Sequence, residues 1–349
     1  MISKQNLLFT IAIPVHNGEP FLSETIHSVL EQTYPHFELV ILENASTDNT
    51  VKIIESFDDP RINVQPSDSL LPIEDNWARI MHIESPQEYL VLLCADDILL
   101  PTFLEEIVYL IQKEPQATLY HTHAVYINDT NQIVFYGKGA PPVESANEYI
   151  SAINTGKEDV FGSGYVMRFE DFKRVGGLPS FRRLLFADMY FYYSLASLGY
   201  KACVQEILAH YRRTSTGTTN ASKIEDFIIA ADQYQSALQS HAEFNDAVNL
   251  KKFLLTFTTH QAKQQLLGLI KTNSQDKINP SIIVQIQNRK LYAGDFPLRW
   301  YIQISQTRIW FVRQLLLYVT LLAVTIRRGL YYIKLQLLRF IPQMMKNNR

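Results

Sequence analysis

Cysteine is nearly absent from this chain: Cys94 and Cys203 are the only two in 349 residues. That excludes a disulfide framework and any CxxC-type metal site, and it suits a reducing compartment. An apolar core at the N-terminus is also missing. Met1 to Asn6 is polar and leads straight into a strand-like run, so no secretory signal is expected and cytoplasmic residence is. No uncharged run reaches the ~20 residues that span a bilayer; in the C-terminal region the longest, Gln314 to Ile326, has thirteen. There is no internal repeat and no low-complexity block. Nor does a Gly-rich, basic loop follow the first apolar run. Pro14-Val15-His16-Asn17 is a poor phosphate cradle, which disfavours a nucleotidyltransferase.

Charge is sparse and unevenly placed. Apolar residues make up 47% and charged ones 19%, with a net charge of −3. From Arg289 to the end there are eleven Lys and Arg against one acid, Asp295, which leaves −13 upstream. The acidic portion gives little support to nucleic-acid binding, and the basic end reads as a surface-binding tail.

Apolar runs alternate with helical patterns over the first hundred residues. Strands are expected at Leu7–Pro14, Phe37–Leu42, Arg61–Gln65 and Tyr89–Cys94, with Cys94 as a small apolar residue. Helices are expected from Glu19-Pro20 to Gln32, Asn49 to Phe57, Ile73 to Glu84 and Phe103 to Lys113. Ala117–Ile127 and Ile133–Tyr136 read as strands joined by a turn at Asn128–Asn131. Strand–helix alternation implies a parallel α/β sheet, whose ligands bind beyond the carboxyl ends of the strands. Three polar clusters fall there: His16-Asn17, Glu43-Asn44 and Asp96-Asp97. Two adjacent carboxylates repel each other without a counter-ion, and a hard cation such as Mg²⁺ or Mn²⁺ with a bound diphosphate answers that need. Further on, an aromatic helix spans Met189 to Leu198, opened by Asp188 and ended by Gly199. Residues 224 to 270 are helical by periodicity. His121 and His123 share one strand face, where packing accounts for them better than a metal site with too few ligands.

These motifs, in order, are Thr10-Ile-Ala-Ile-Pro-Val-His-Asn17, Glu43-Asn-Ala-Ser-Thr-Asp-Asn-Thr50, Asn76-Trp77 and Ala95-Asp-Asp97. Together they resemble family 2 of the nucleotide-sugar glycosyltransferases. The resemblance covers about residues 7–215 and implies the GT-A fold, a three-layer α/β/α sandwich, here with a C-terminal helical extension. It implies a nucleotide-sugar pocket lined by Pro14, His16, Asn17 and Glu19, with Glu43 and Asn44 at the base and Asn76 nearby. It places Asp96 toward the ribose or sugar and Asp97 on the metal. Asp188, in Phe186-Ala187-Asp188, stands where the family carries its catalytic base. His210-Tyr211-Arg212-Arg213 resembles the segment over the diphosphate, which assigns Arg212 to the nucleotide sugar and His210 to the metal. Ala45 and Ala187 depart from the family pattern and leave open a catalytically silent nucleotide-sugar-binding protein.

The expected organisation is a catalytic domain over 1–220, a nucleotide-sugar half (about 1–100) and an acceptor half (about 101–220), a helical extension over 221–295, and basic amphipathic helices over 296–349. Within Ile309 to Ile341, Arg313, Arg327, Arg328, Lys334 and Arg339 interrupt apolar and aromatic residues with no acid. Such helices lie in a membrane interface with their cations on anionic headgroups. The alternative is packing on the catalytic domain or on a second subunit in a homo-oligomer. The expected enzyme is therefore an inverting glycosyltransferase, peripheral on the inner face of the cell membrane. It would pass a sugar from a UDP- or dTDP-sugar donor to a glycan or lipid-linked acceptor of cell-surface polysaccharide.

Overall fold

A computed structural model describes residues 6–214, 217, 221–254, 256, 257 and 261. The extension beyond 261 and the amphipathic tail lie outside the described residues. The first compact unit runs from Met1 to Leu254.

The apolar runs form the centre of one mixed sheet. Strands β1 (Phe9–Val15), β2 (Phe37–Glu43), β3 (Ile62–Gln65) and β4 (Tyr89–Leu92) are parallel, in the order β3-β2-β1-β4. All seven residues of β1 are buried, as expected for a strand covered on both faces. The chain adds β2 and β3 on one side of β1 and β4 on the other. This is the order reversal at which α/β sheets open a ligand crevice.

Pro14 shows how the crevice opens. The Leu93 N–H bonds to the Ala12 carbonyl, and the Asn44 N–H bonds to the Val15 carbonyl. Even-numbered positions of β1 therefore face β4. The β1–β4 pairing stops at Ala12 opposite Leu92, so the N–H that Pro14 lacks falls where β4 has already left.

Beyond β4 the sheet continues through β9 (Tyr165–Arg168), β6 (Leu119–Ile127), β10 (Lys201–Arg212) and β5 (Ile98–Leu99). Strand β9 is antiparallel to both β4 and β6, while β10 runs parallel to β6. The hairpin expected at Asn128–Asn131 forms, pairing β7 (Ile133–Tyr136) with β6. A short β8 (Val143–Glu144) pairs with β10.

Helices cover the sheet with the faces their sequences predict. Helix α1 (Leu22–Leu30) buries Leu22, Ile26 and Val29. Helix α4 (Phe103–Lys113) buries Phe103, Leu104, Ile107, Leu110 and Ile111, a stripe at helical spacing. Each such side chain is worth about 1.5–3 kcal/mol of transfer free energy. Helix α2 spans Thr50–Glu55. The helix expected over Ile73–Glu84 is α3 (Ile73–Ala78) followed by a 3-10 turn, Arg79–His82. Helix α5 (Ala146–Asn154) starts on a capping box formed by Ser145 and Glu148, and α6 spans Phe169–Arg174.

Helix α7 (Ala187–Ala196) is buried at Phe191 through Ala196, because α5 and α8 (Ile224–Ser240) both pack on it. Phe186 stacks on Tyr234 of α8 at 5.5 Å. The helix at 224–240 thus lies within the first unit, and the expected boundary at 220 falls inside that unit. A fully buried cation, Lys201, lies 2.5 Å from Glu144 Oε1, pairs with Glu158 and sits 4.2 Å from the Tyr149 ring centroid.

Candidate active site

The loops after β1 and β2 are laced together at the crevice. The Asn17 N–H donates to Ser46 Oγ (3.0 Å), and Asn17 Oδ1 accepts from the Thr47 N–H (2.8 Å). The Gly18 N–H donates to Thr50 Oγ1 (2.8 Å). Glu19 accepts from Asn49 through both oxygens, at 2.8 and 3.1 Å, which holds its carboxyl below the usual range. Asn17 and Glu19 therefore fix the loop geometry. Asn17 adopts a left-handed backbone (φ 53°) that Asn tolerates better than most residues. His16 is exposed, with Nδ1 2.9 Å from the Asn44 carbonyl. A carbonyl only accepts, so Nδ1 carries the proton and Nε2 is the ring's acceptor.

The residues expected at the base are internal. Glu43 is 5% exposed, and its two oxygens take the N–H groups of Ala45 (3.1 Å) and Ser46 (2.6 Å). They stabilise a turn whose Ala45 has φ 49°. Asn44 clamps Leu71 by two bonds, at 2.9 and 3.0 Å. Asn76 is buried, and its Oδ1 accepts from Arg79 Nη1 (3.0 Å). Arg79 also donates to the carbonyls of Glu43, Gln65 and Pro66, holding the ends of β2 and β3. Glu43, Asn44 and Asn76 thus hold the crevice wall together. Nothing in the sequence singles out Arg79, because three of its partners are backbone carbonyls from two distant segments.

The acidic pair differs from expectation in detail. Asp97 is 2% exposed, and its Oδ1 accepts from the Arg212 N–H at 2.7 Å. Its Oδ2 is buried with no hydrogen-bond partner among the described residues. Burial first, then Asp96, pushes the Asp97 carboxyl well above its usual range, against the pull of Ser163 and Arg212. Burial likewise raises Asp96, which is half-exposed. A carboxylate oxygen of Asp96, one of Asp97 and Cys94 Sγ all lie within 4.8 Å of one another. Cys94 is half-buried beside this pair, and burial, then Asp97 and Asp96, pushes its thiol well above the usual range; Asp96 joins Asp97 in the candidate ligand group.

Arg212 and His210 lie beside this loop. Arg212 is 3% exposed, and its guanidinium donates to the Asp96 carbonyl (2.8 Å), the Asn128 carbonyl (2.9 Å) and Glu24 Oε2 (2.8 Å). Nε, Nη1 and Nη2 each have a partner, so Arg212 braces the acidic loop. His210 pairs with Ile98 across β10 and β5 and lines a small pocket with Asp97, Ser163, Phe161 and Tyr211. It is not one of the three grouped ligands. Burial, then Arg212, lowers its pKa.

Asp188 sits in the first turn of α7, half-buried, with Oδ1 accepting from its neighbour's N–H, Met189, at 2.8 Å. Burial pushes its pKa up to about 6. The preceding backbone is left-handed at Arg183 (φ 57°), Leu184 (55°) and Phe186 (63°), all non-glycine. It is held by the Arg183 N–H on Glu74 (2.6 Å), the Arg182 N–H on Gln233 (2.8 Å) and Arg182 Nε on Asp226 (2.8 Å). Asp97 and Asp188 each act electrostatically on both Cys94 and Tyr211. Tyr211, missed in the sequence, packs on Tyr126 (5.7 Å) and Phe161 (5.6 Å).

A divalent cation fits the acidic group. Asp97 offers an orphaned buried oxygen, and two raised carboxyls would ionise together beside a positive ion. His121, stacked on Tyr165 at 4.8 Å, and His123, within 3.1 Å of the Ala140 carbonyl, are packed as expected.

The switch-point crevice with its carboxylate pair, in this sheet order, matches the GT-A glycosyltransferase fold. Residues 10–176 match glycosyl transferase family 2, and the segment that builds the crevice belongs to that family. The chain is 27% identical over 123 residues to an Escherichia coli UDP-Glc:α-D-GlcNAc-diphosphoundecaprenol β-1,3-glucosyltransferase, covering 35% of this chain and 48% of that protein. The matched stretches span less than two thirds of the length of the curated relatives. Staphylococcus aureus TarS 1–349 in complex with UDP-GlcNAc superposes with a TM-score of 0.58 at 13% identity, covering 72% of each chain. A Pyrobaculum calidifontis mannosyltransferase in complex with GDP-Man and Mn²⁺ does so with a TM-score of 0.50 at 15% identity, covering 86% of this chain and 85% of that one. At these identities the two structures speak to the fold. Among the described residues no helix is long and apolar enough to cross a membrane.

Proposed function

We propose that this chain is an inverting, cation-dependent glycosyltransferase that passes a sugar from a UDP- or dTDP-sugar to a glycan or lipid-linked acceptor in cell-surface polysaccharide assembly. The observation that carries the reading is Asp188, a half-buried acid with pKa about 6 that, with the Asp96–Asp97 pair, acts electrostatically on Tyr211. A base of that pKa is ionised at neutral pH and still basic enough to accept a proton as the acceptor hydroxyl attacks. Attack from the Asp188 side, with the diphosphate leaving toward Asp96 and Asp97, inverts the anomeric carbon. The bound cation, Mg²⁺ or Mn²⁺, would neutralise charge on the departing diphosphate. His16 and Pro14 border the crevice at the end of β1, where the nucleotide would lie. The packed rings of Tyr211, Tyr126 and Phe161 limit water near the reacting centre.

The basic amphipathic tail supports a place on the inner face of the cell membrane, where lipid-linked acceptors would be in reach. The test is a panel of UDP-, dTDP- and GDP-sugars incubated with the full chain, Mn²⁺ and lipid-diphosphate acceptors. Transfer from a UDP- or dTDP-sugar that falls by about 10²–10⁴-fold in Asp188→Asn is expected. Donor binding without turnover would instead identify a silent sugar-nucleotide-binding protein.

A further inference from the structure

Cys94 stands at the mouth of the crevice with no part in the reading so far. Its Sγ lies within 4.8 Å of carboxylate oxygens of both Asp96 and Asp97. Its backbone is pinned, because the Cys94 N–H donates to Ser163 Oγ at 2.7 Å. The facing position, Gly162, keeps the sulfur clear, since a Cβ there would lie 3.3 Å from Sγ. The chain's other thiol, Cys203, is 2% exposed in the core. Asp97 also carries Oδ2, buried and without a hydrogen-bond partner among the described residues, so the acidic pair leaves one oxygen with nothing to bind.

We propose that Cys94 is a third protein ligand of the cation at this site. It binds as a thiolate, which gives the centre a preference for borderline and soft ions over Mg²⁺. The inference rests on the proposed cation-dependent function and adds the identity of a ligand. As the ion enters, the S–H bond breaks, the sulfur–metal bond forms and the proton leaves to solvent; nothing is oxidised or reduced. One sulfur with two carboxylate oxygens is a mixed donor set. Oxygen-only sites suit Mg²⁺, whereas a thiolate raises affinity for Zn²⁺, Co²⁺ and Cd²⁺, with Mn²⁺ between the two groups.

Cd²⁺ titration of the full chain, followed by the ultraviolet sulfur-to-metal charge-transfer band, tests this without any turnover. Mn²⁺ binding is measured separately by electron paramagnetic resonance. The expected result is one band per chain that is lost in Cys94→Ser and kept in Cys203→Ser. Cys94→Ser should also weaken Cd²⁺ binding by about tenfold or more while changing Mg²⁺ binding little. Cys94→Asp should lose the band and keep Mn²⁺, which guards against a misfolded serine variant. Mn²⁺ binding with no thiolate band, or a band that disappears in Cys203→Ser, would overturn the Cys94 assignment and leave the proposed function standing. Failure of every divalent ion to bind, with UDP present or absent, would remove both.

Discussion

The backbone N–H of Arg212 donates to Asp97 Oδ1 at 2.7 Å, across 115 positions of sequence. The Arg212 side chain then returns to the carbonyl of Asp96 at 2.8 Å. Strand β10 therefore braces the acidic loop from both sides, and β5, formed by the residues just after that loop, pairs with β10 at Ala209 and His210. The Arg212 side chain thus holds the acidic loop in place.

Replacing Arg212 by Met should show that role. It strips hydrogen bonds from two carbonyls and from Glu24, and it should lower stability by about 3 kcal/mol or more. Urea unfolding of the variant measures this. An unchanged midpoint with a raised KM for donor would return Arg212 to the diphosphate.

Activity should follow the ionisation of Asp188. With a pKa of about 6, kcat/KM should be flat above that pH and fall about tenfold per unit below it. The decline comes from protonation of the base, so it should vanish in the residual activity of Asp188→Asn. A profile with no acid limb near pH 6 would contradict the assignment.

The buried Lys201 cluster makes a prediction about stability. Burial, partly offset by Lys201, pushes Glu158 up to about 8 from 4.5. Between those values the folded state holds a proton that the unfolded state has lost, so stability should decline as pH rises through this window. Glu158→Gln cannot ionise and should flatten the slope. Lys201→Met, which leaves two buried acids without their cation, should destabilise by about 3–5 kcal/mol. Melting temperatures across pH 5 to 8.5 would check both.

Ala45 holds a left-handed backbone (φ 49°) that costs a residue with a Cβ roughly 1–2 kcal/mol. Part of that gain is returned through the freer unfolded chain, so Ala45→Gly should stabilise by up to about 1 kcal/mol. Thermal denaturation decides it, and a loss of stability would mean the turn is not strained.

Deleting residues after about Gln303 should move the protein from membrane to soluble fractions while leaving the catalytic unit folded. An unchanged distribution on fractionation would count against a tail that binds anionic lipid.

The parallel core was legible because its strands are continuous apolar runs, and burial on both faces demands such runs. Strand β10 was not, since a bulge between Val204 and Ile207 exposes Gln205 and Glu206 and breaks any alternation. The same limit applied to the site. Asp96, Asp97 and Asp188 could be named from local motifs, but the sequence could not tell which oxygens were already taken.

By itself, the sequence determined the layered α/β architecture, the position of the crevice at the strand ends and the acids around it, because period, capping and polar clusters are local properties. Only the tertiary structure decided which partners Glu43, Asn44, Asn76 and Arg212 hold, that Arg79 locks the wall, and that Cys94 lies beside the acidic pair. Those roles depend on hydrogen-bond partners and burial supplied by distant segments, and a side chain has one set of lone pairs and donors to spend, whichever segment reaches it first.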